Sequence, residues 1–358
     1  MEERIELNQK VELNQAEAER RVSGRKISFL PRIMLCVFIL QSFIIFGIIM
    51  SAAGCAPKSM SSRTRIMFTL TDTDEPFRLL LRNSVQSEAA ALGIQLDIRY
   101  AGGSKDAQID AVLAANREKY DAIICFPVDP SNALELEEAA GDLPIVFVNN
   151  VPVGEVLTKD HYMYVGCKES DAGYMQADYV WKRLGCPEQM QAVLVKGEPG
   201  HSGTVGRTSA VKNYFKEKGV HVDWVYEDYA NWAEEEAADK FRLFMKKNIP
   251  FDAVFSNNDT MALGVLNVMQ ENGMDIASIP VVGVDATPMG CRSIKNNQMS
   301  FSVYQNGINE GSTAVRLAKK LAVEKTAEGF EGLDEDGLRV WIPYEPVDKD
   351  NVDEYLDR

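Results

Sequence analysis

The sequence is poor in the residues that build metal and redox sites. It contains three histidines and six cysteines in 358 residues, and the histidines are too scattered to suggest a zinc site. No two cysteines form a CxxC pair, and Cys36 and Cys55 precede the body of the chain. Cys125 lies in an apolar run and is expected to be a buried free thiol. The sequence therefore predicts no metal and no cofactor.

Positive charge is also scarce. Lys and Arg total 38 against 53 Asp and Glu, which gives a formal net charge of −15. Binding to nucleic acid needs a basic surface that neutralises phosphates, so this composition excludes a nucleic-acid partner. With 46% hydrophobic residues, a chain of this length can bury a large core and form two globular units.

A long hydrophobic run lies near the N-terminus, from Ile33 to Met50. Basic residues precede it and small residues follow it up to Cys55, which is the order of an export signal. The end of this segment resembles the lipobox of bacterial lipoproteins, which implies cleavage after residue 54 and a diacylglycerol on Cys55. An uncleaved signal anchor is the alternative, because eighteen apolar residues can just span a bilayer. Either reading places the folded part outside the cytoplasmic membrane.

The body begins after a linker at residues 55–63 and alternates strand and helix patterns. Helices are expected at Pro76 to Leu92 and at Asp259 to Asn272, the second with Asp259 as its N-cap. Such alternation predicts an α/β fold, and ten strands favour two doubly wound parallel-sheet lobes over one sheet. The candidate strands are Ile66 to Leu70, Leu96 to Tyr100, Ala122 to Pro127, Ile145 to Val148, Tyr162 to Val165, Ala192 to Val195, Val222 to Tyr226, Ala253 to Phe255, Val281 to Val284 and Phe301 to Tyr304.

Polar side chains follow two of these strands at the point where each strand ends. Asn257, Asn258 and Asp259 come after one apolar run, and Asp285 comes after the next. Open α/β sheets bind small ligands in a crevice at the carboxyl ends of their strands. The sequence therefore predicts a ligand site at this edge.

A colinear series of motifs carries a family resemblance. The series includes Val146-Phe147-Val148-Asn149, Lys196-Gly197-Glu198-Pro199-Gly200-His201, Ala230-Asn231-Trp232, Asn257-Asn258-Asp259 and Gly283-Val284-Asp285. It resembles the periplasmic sugar-binding proteins of ABC transporters, most of all the galactose- and glucose-binding members. The resemblance implies two lobes joined by three crossing strands, acting as a monomer. Lobe 1 would comprise residues 62–166 and 306–338, and lobe 2 residues 167–305 and 339–358.

The resemblance also implies a sugar site between the lobes. Side-chain hydrogen-bonding groups would hold the rim of the sugar ring, and two aromatic rings would cover its faces. Taken alone, Phe77 would ordinarily be a core residue, Asn149 fits a turn, and Arg207 fits a solvated surface charge. The implied rim residues are Asp74 or Glu75, Asn149, His201, Arg207, Asn258, Asp285 and Gln305, and the implied face residues are Phe77 and Trp232.

Three positions depart from the galactose and glucose pattern. Gly203 stands where those proteins have an aspartate, Glu75 replaces an aspartate, and Gln305 replaces an asparagine. A missing acceptor for a buried hydroxyl should cost ~1–3 kcal/mol. The segment from Leu184 to Met190 has too few oxygen ligands for the calcium site that some relatives carry.

These observations predict a non-enzymatic receptor that captures a monosaccharide and delivers it to an ABC permease. A sugar sensor for a chemoreceptor or histidine kinase is an alternative. A glycosidase using Asp74 or Glu75 with Asp285 is a weaker one, because hydroxyl binding already explains these carboxylates.

Overall fold

The computed structural model describes residues 63–72 and 75–356. The predicted leader, Cys55 and Asp74 lie outside these residues. Among the described helices none is long and apolar enough to cross a membrane. The first half of the described chain contains strands β1 (Arg65–Leu70), β2 (Gln95–Tyr100), β3 (Ala122–Cys125), β4 (Ile145–Val148) and β5 (Tyr162–Gly166), with helices α1 (Pro76–Ala91), α2 (Lys105–Arg117) and α3 (Ala133–Ala140) between them.

The second half repeats the alternation. It contains α4 (Glu169–Arg183), β6 (Gln189–Lys196), α5 (Ser202–Lys218), β7 (His221–Tyr229), α6 (Glu234–Met245), β8 (Ala253–Ser256), α7 (Asp259–Glu271), β9 (Val281–Val282), α8 (Pro288–Lys295), β10 (Ser302–Tyr304), α9 (Gly307–Glu324), β11 (Arg339–Trp341) and β12 (Glu345–Val347). Short 3-10 helices lie at Pro130–Asn132 and Val352–Glu354. The ten strands expected from the sequence overlap β1 to β10.

Two parallel sheets organise these elements. The first sheet has the order β11-β5-β4-β3-β1-β2, and the second has the order β7-β6-β8-β9. A small antiparallel pair joins β10 and β12 beside the second sheet. Right-handed βαβ crossovers place helices on both faces of such sheets. The predicted fold class, two doubly wound parallel lobes, is confirmed.

Strands in the centre of each sheet are apolar throughout because both faces are covered. In β3 and β4, Ile124 and Val146 pack into one hydrophobic cluster, whereas Ile123 and Phe147 pack into another on the opposite face. Successive strand residues point to opposite sides, so a strand buried on both faces reads as a continuous apolar run. Cys125 is fully buried and free, as expected from its run, and burial raises the pKa of its thiol.

Within the described residues, the chain crosses between the two sheets three times. It leaves the first sheet after β5, returns from β10 into α9, which packs on α1, and leaves again between β11 and β12. Arg339–Trp341 pairs with Tyr164–Gly166 in the first sheet, whereas the sequence assigned residues 339–358 to the second lobe. The third crossing therefore lies after Trp341. Without β11, β5 would be the edge strand of the first sheet, and its free backbone groups pair with β11.

Candidate functional site

A cavity of about 310 Å³ empty volume lies where the carboxyl ends of strands from the two sheets meet. Six of its eleven lining residues lie within three residues after the end of a strand, as expected for open α/β sheets. They are Glu75, Phe77, Arg78, Phe126, Asn149, His201, Arg207, Trp232, Asn258, Asp285 and Gln305.

The structure brings together nine of the ten side chains that the sequence singled out. Only Asp74 cannot be placed, since it lies outside the described residues. That the nine bind a ligand stays a prediction. Two lining residues were missed, Arg78 and Phe126. Phe126 ends an apolar run that reads as core, and Arg78 follows Phe77 in an ordinary helical turn, so neither carried a signal of its own.

Trp232 forms one wall of the cavity and is held in an unusual conformation. Asn231 and Trp232 have φ values of 46° and 66°, in the left-handed region that side chains other than glycine rarely adopt. The indole lies directly on Gly197, where a Cβ would come within 2.2 Å of the ring. The His201 ring meets the indole edge-on, with centroids 5.1 Å apart. A turn and a glycine thus fix the position of this ring.

Phe77, at the start of α1, is with Phe126 one of the two aromatic residues that the first lobe contributes to the cavity. Its ring packs against Gly307, where an added Cβ would lie 3.0 Å from Cε2. The side chain is buried and also belongs to the hydrophobic core. Phe77 is therefore both a core residue and a cavity residue.

Arg207 is a buried structural centre of the site, not a solvated surface charge. Its Nε donates to Glu169 at 2.6 Å and its Nη1 to the Asn257 carbonyl at 2.6 Å. Its Nη2 donates to Gln305 Oε1 at 2.8 Å and to the Tyr344 hydroxyl at 2.9 Å. Burial alone would lower the pKa of Arg207, but Glu169 and other partners hold it well above the usual value. A fully charged fork of donors is thereby fixed beside the cavity.

Two carboxylates supply acceptors to the cavity. Glu75 caps α1 by accepting from the Arg78 N–H at 2.9 Å, while its Oε1 is buried without a partner among the described residues. Nη1 of Arg207 lies 3.7 Å from Oδ1 of Asp285, beyond hydrogen-bond distance. Burial raises the pKa of both acids, and at Asp285 the attraction of Arg207 offsets part of this rise. Both groups have acceptor capacity left for a ligand.

The donors can be assigned from their other hydrogen bonds. His201 Nδ1 accepts from the Gly203 N–H at 3.1 Å, so the ring hydrogen is on Nε2. Burial and the nearby charges of Arg78 and Arg207 hold the pKa of His201 well below its usual range, which keeps the ring neutral. Gln305 Oε1 is used by Arg207 and one Nε2 hydrogen by Glu310. A second Nε2 hydrogen is then left for a ligand.

The expected cap of α7 was wrong by one residue. Asn258, not Asp259, is the N-cap, and its Oδ1 accepts from the Met261 N–H at 2.9 Å. This bond leaves the Asn258 amide nitrogen on the cavity side, 3.5 Å from the Trp232 carbonyl. Asp259 is buried and accepts from Ser302 Oγ at 2.6 Å and from the Thr287 N–H at 2.7 Å. Its hydrogen bonds hold the start of β10 and the loop before α8 together.

Contacts across the cavity hold the two lobes together. Arg78 Nη2 donates to Glu198 Oε1 at 2.7 Å. Ser202 at the start of α5 accepts from the Val151 N–H at 3.1 Å and donates through its own N–H to Asn150 Oδ1 at 3.0 Å. These bonds join the first lobe to the second at the rim of the cavity. The site is thus enclosed by both lobes.

Comparison with known proteins decides the family. The sequence profile described as periplasmic binding protein domain matches residues 66–326. The chain belongs to the periplasmic binding protein family. The resemblance to periplasmic sugar-binding proteins of ABC transporters is thereby confirmed at the level of the family, and this family implies that the folded part lies outside the cytoplasmic membrane.

Relatives of this periplasmic binding protein differ in the ligand that they are named for. The D-galactose/methyl-galactoside binding periplasmic protein MglB of Haemophilus influenzae is 30% identical over 323 residues, 85% of this chain and 96% of that protein. The D-allose-binding periplasmic protein of Escherichia coli is 24% identical over 258 residues, covering 69% of this chain and 81% of that one. A solved ABC transporter solute binding protein from Bacillus halodurans with bound myo-inositol is 26% identical, with a TM-score of 0.73, and covers 84% of this chain and 99% of that chain.

Proposed function

We propose that this protein captures one monosaccharide, galactose- or glucose-like, between its two lobes and delivers it to an ABC permease. After export, the lipid on Cys55 would anchor it to the outer face of the cytoplasmic membrane. The protein does no chemistry on the ligand in this proposal.

The observation that carries the proposal is the arrangement of the cavity lining. Phe77 and Trp232 supply aromatic surface for the C–H faces of a sugar ring. Glu75 and Asp285 supply acceptors, while the uncharged His201 supplies a donor. Alternating acceptors and donors around apolar walls suit the hydroxyl rim of a pyranose.

Gly203 is the feature that bears most on which sugar binds. A Cβ at this position would lie 3.2 Å from His201 Nδ1 and 3.5 Å from Arg207 Cζ. The aspartate that galactose and glucose receptors carry here would therefore stand between a ring and a guanidinium in the site. Its absence removes an acceptor, so the ligand panel must include sugars and cyclitols that lack or invert one hydroxyl.

Calorimetric titration and thermal shift with purified protein test the proposal. The panel comprises galactose, glucose, allose, ribose and myo-inositol. Binding to the folded state raises stability by about 2.7 kcal/mol at a hundredfold excess over Kd. We expect at least one galactose- or glucose-like sugar to bind, and no response to any member of the panel would contradict the proposal.

Trp232→Ala tests the site itself. Loss of the indole should weaken sugar binding by at least about 1.4 kcal/mol, which is tenfold in Kd. Trp181→Ala is the matched control, because Trp181 packs edge-on against Tyr214 on the outer side of α4, with centroids 6.2 Å apart. Equal affinities of the two variants would remove Trp232 from the ligand site.

A further inference from the structure

Glu310 is a buried acid behind the cavity that the proposed function does not use. It lies in the first turn of α9 and has no exposed surface. Its Oε2 accepts from Gln305 Nε2 at 3.2 Å. Its Oε1 is buried and has no hydrogen-bond partner among the described residues. A carboxylate with an unused buried oxygen is costly unless it carries a proton.

A chain of hydrogen bonds links Glu310 to the ligand-facing groups and to all three crossings between the lobes. Gln305 bonds to Glu310 on one side and to Arg207 on the other. Arg207 bonds to Glu169 in the first crossing and to Tyr344 in the third, while Glu310 and Gln305 lie at the second. The Tyr344 hydroxyl also donates to Glu169 at 2.8 Å. A change in the charge of Glu310 would therefore alter the hydrogen bonds of the segments that join the lobes.

The surroundings of Glu310 oppose its ionisation. The pKa of Glu310 is raised to about 8: burial raises it most and the carboxylate of Glu169 also raises it, while Gln305, Asn149 and Arg207 act in the opposite direction. Tyr164 and Cys167 also interact with Glu310, and burial raises both of their pKa values well above normal, so both are neutral. Glu169, Asp285 and Glu310 thus share the charge of Arg207.

Asn149 is the ligand-facing side chain that Glu310 can orient. Its backbone is fixed, with φ of 63° and a carbonyl that accepts from the Tyr164 hydroxyl at 2.8 Å. Its side chain lines the cavity and lies close enough to the Glu310 carboxyl to lower the pKa of that acid. A neutral Glu310 donates to the amide oxygen and leaves the NH2 group for the ligand. An ionised Glu310 attracts the NH2 group and leaves the oxygen instead.

We propose that Glu310 is a positioning residue whose proton sets which face of the Asn149 amide is presented to the ligand, and that sugar binding is coupled to uptake of that proton. This inference depends on the proposed function, because it assigns a role in the same sugar site. Ligand binding expels water and disfavours the ionised form of a buried acid. The complex therefore holds the proton more tightly than the free protein, and affinity falls as pH rises above about 8.

The test is calorimetric titration of the full exported chain with the best sugar of the panel between about pH 6.5 and 9.5. For the wild type we expect Kd to rise by up to about tenfold per pH unit over the interval between the pKa values of Glu310 in the free protein and in the complex. Near pH 8, two buffers with different ionisation enthalpies should give different binding heats, as proton uptake requires.

Glu310→Gln reproduces the hydrogen bonds of the neutral acid and cannot ionise. We expect this variant to bind within about threefold of the wild type below pH 7 and to lose the pH dependence above 8. Glu137→Gln is the matched control, since Glu137 has a pKa raised by burial to about 7 and lies on α3 away from the cavity. It should keep the wild-type profile.

Three results would overturn the inference. One is a wild-type Kd that does not change with pH, and another is a Glu310→Gln variant that retains the wild-type profile. The third is loss of the pH dependence in Asp259→Asn instead, because burial raises the pKa of that acid to about 7. If Glu310→Gln does not fold, the wild type still tests the inference, because equal binding heats in the two buffers would show that sugar binding takes up no proton. Absence of binding at every pH would contradict the proposed function itself.

Discussion

The indole of Trp232 packs directly on Gly197, and no larger residue fits at this position. The nearest ring atoms would lie 2.2 Å from a Cβ at this position, well inside van der Waals contact. The neighbouring turn already holds Asn231 and Trp232 at positive φ, a conformation that costs roughly 1–3 kcal/mol per residue unless the surroundings impose it. The glycine and the turn therefore place this ring together.

Gly197→Ala should displace the indole and weaken sugar binding by about tenfold or more while the protein remains folded. A double-mutant cycle with Trp232→Ala isolates the cause, since contacting residues do not act additively. In the Trp232→Ala background the glycine substitution should have little further effect on Kd. An equally large loss in that background would show that Gly197 acts by another route.

At the scale of elements, the rim contacts between α1, the loop after β6 and the start of α5 decide how firmly the lobes stay closed. Arg78 is nearly buried and bonds both to Asp72 in its own lobe, at 3.1 Å, and to Glu198 in the other, at 2.7 Å. Burial would lower the pKa of Arg78, but Glu198 and Asp72 raise it. The ion pair across the cleft forms only when the lobes close on each other.

Glu198→Gln should weaken ligand binding by up to about fivefold, because a partly exposed ion pair contributes roughly 0.2–1 kcal/mol and the closed state loses it. The loss should shrink as salt is added, since salt screens the same pair in the wild type. Glu227→Gln is the control, because Glu227 pairs with Lys212 at 2.6 Å within the second lobe. An equal loss in both variants would separate Glu198 from lobe closure.

At the scale of the whole molecule, buried acids set how stability depends on pH. Burial raises the pKa of Asp259 to about 7 and of Glu310 to about 8, and raises that of Asp285 well above normal. Unfolding restores ordinary values, so above pH 4 the folded state binds more protons than the unfolded state. The contribution of these acids to stability therefore falls as pH rises through this range.

We expect the free energy of unfolding of the ligand-free protein to fall, on the order of a few kcal/mol, between about pH 5 and 8.5. Urea denaturation at a series of pH values measures it. Asp259→Asn should make the free energy of unfolding change less with pH, because this variant lacks one of the buried acids. A stability that rises over this interval would show that these acids are ionised in the folded protein.

The succession of elements was encoded locally. Strands buried on both faces read as apolar runs, and α1 begins at a proline after a capping acid, so β1 to β10 could be placed from the sequence. Nine lining residues could be named because their motifs occur in the order typical of the family, several of them at strand ends. The pairing of β5 with β11 could not be predicted from the sequence. The two strands lie far apart in the chain, and the fold decides which sheet edge β11 joins.

Which side chains share a cavity was decided by the tertiary structure. Phe126 and Arg78 look like an ordinary strand end and helix turn, and only the approach of the second lobe makes them part of the site. Glu310 looks like a surface acid at the start of a helix, yet it is fully buried and bonded to Gln305, which in turn is bonded to Arg207. The sequence alone determined the α/β order and the polar strand ends, because these follow from residues close in the chain. The buried charge network required the fold, because its members come from segments more than a hundred residues apart.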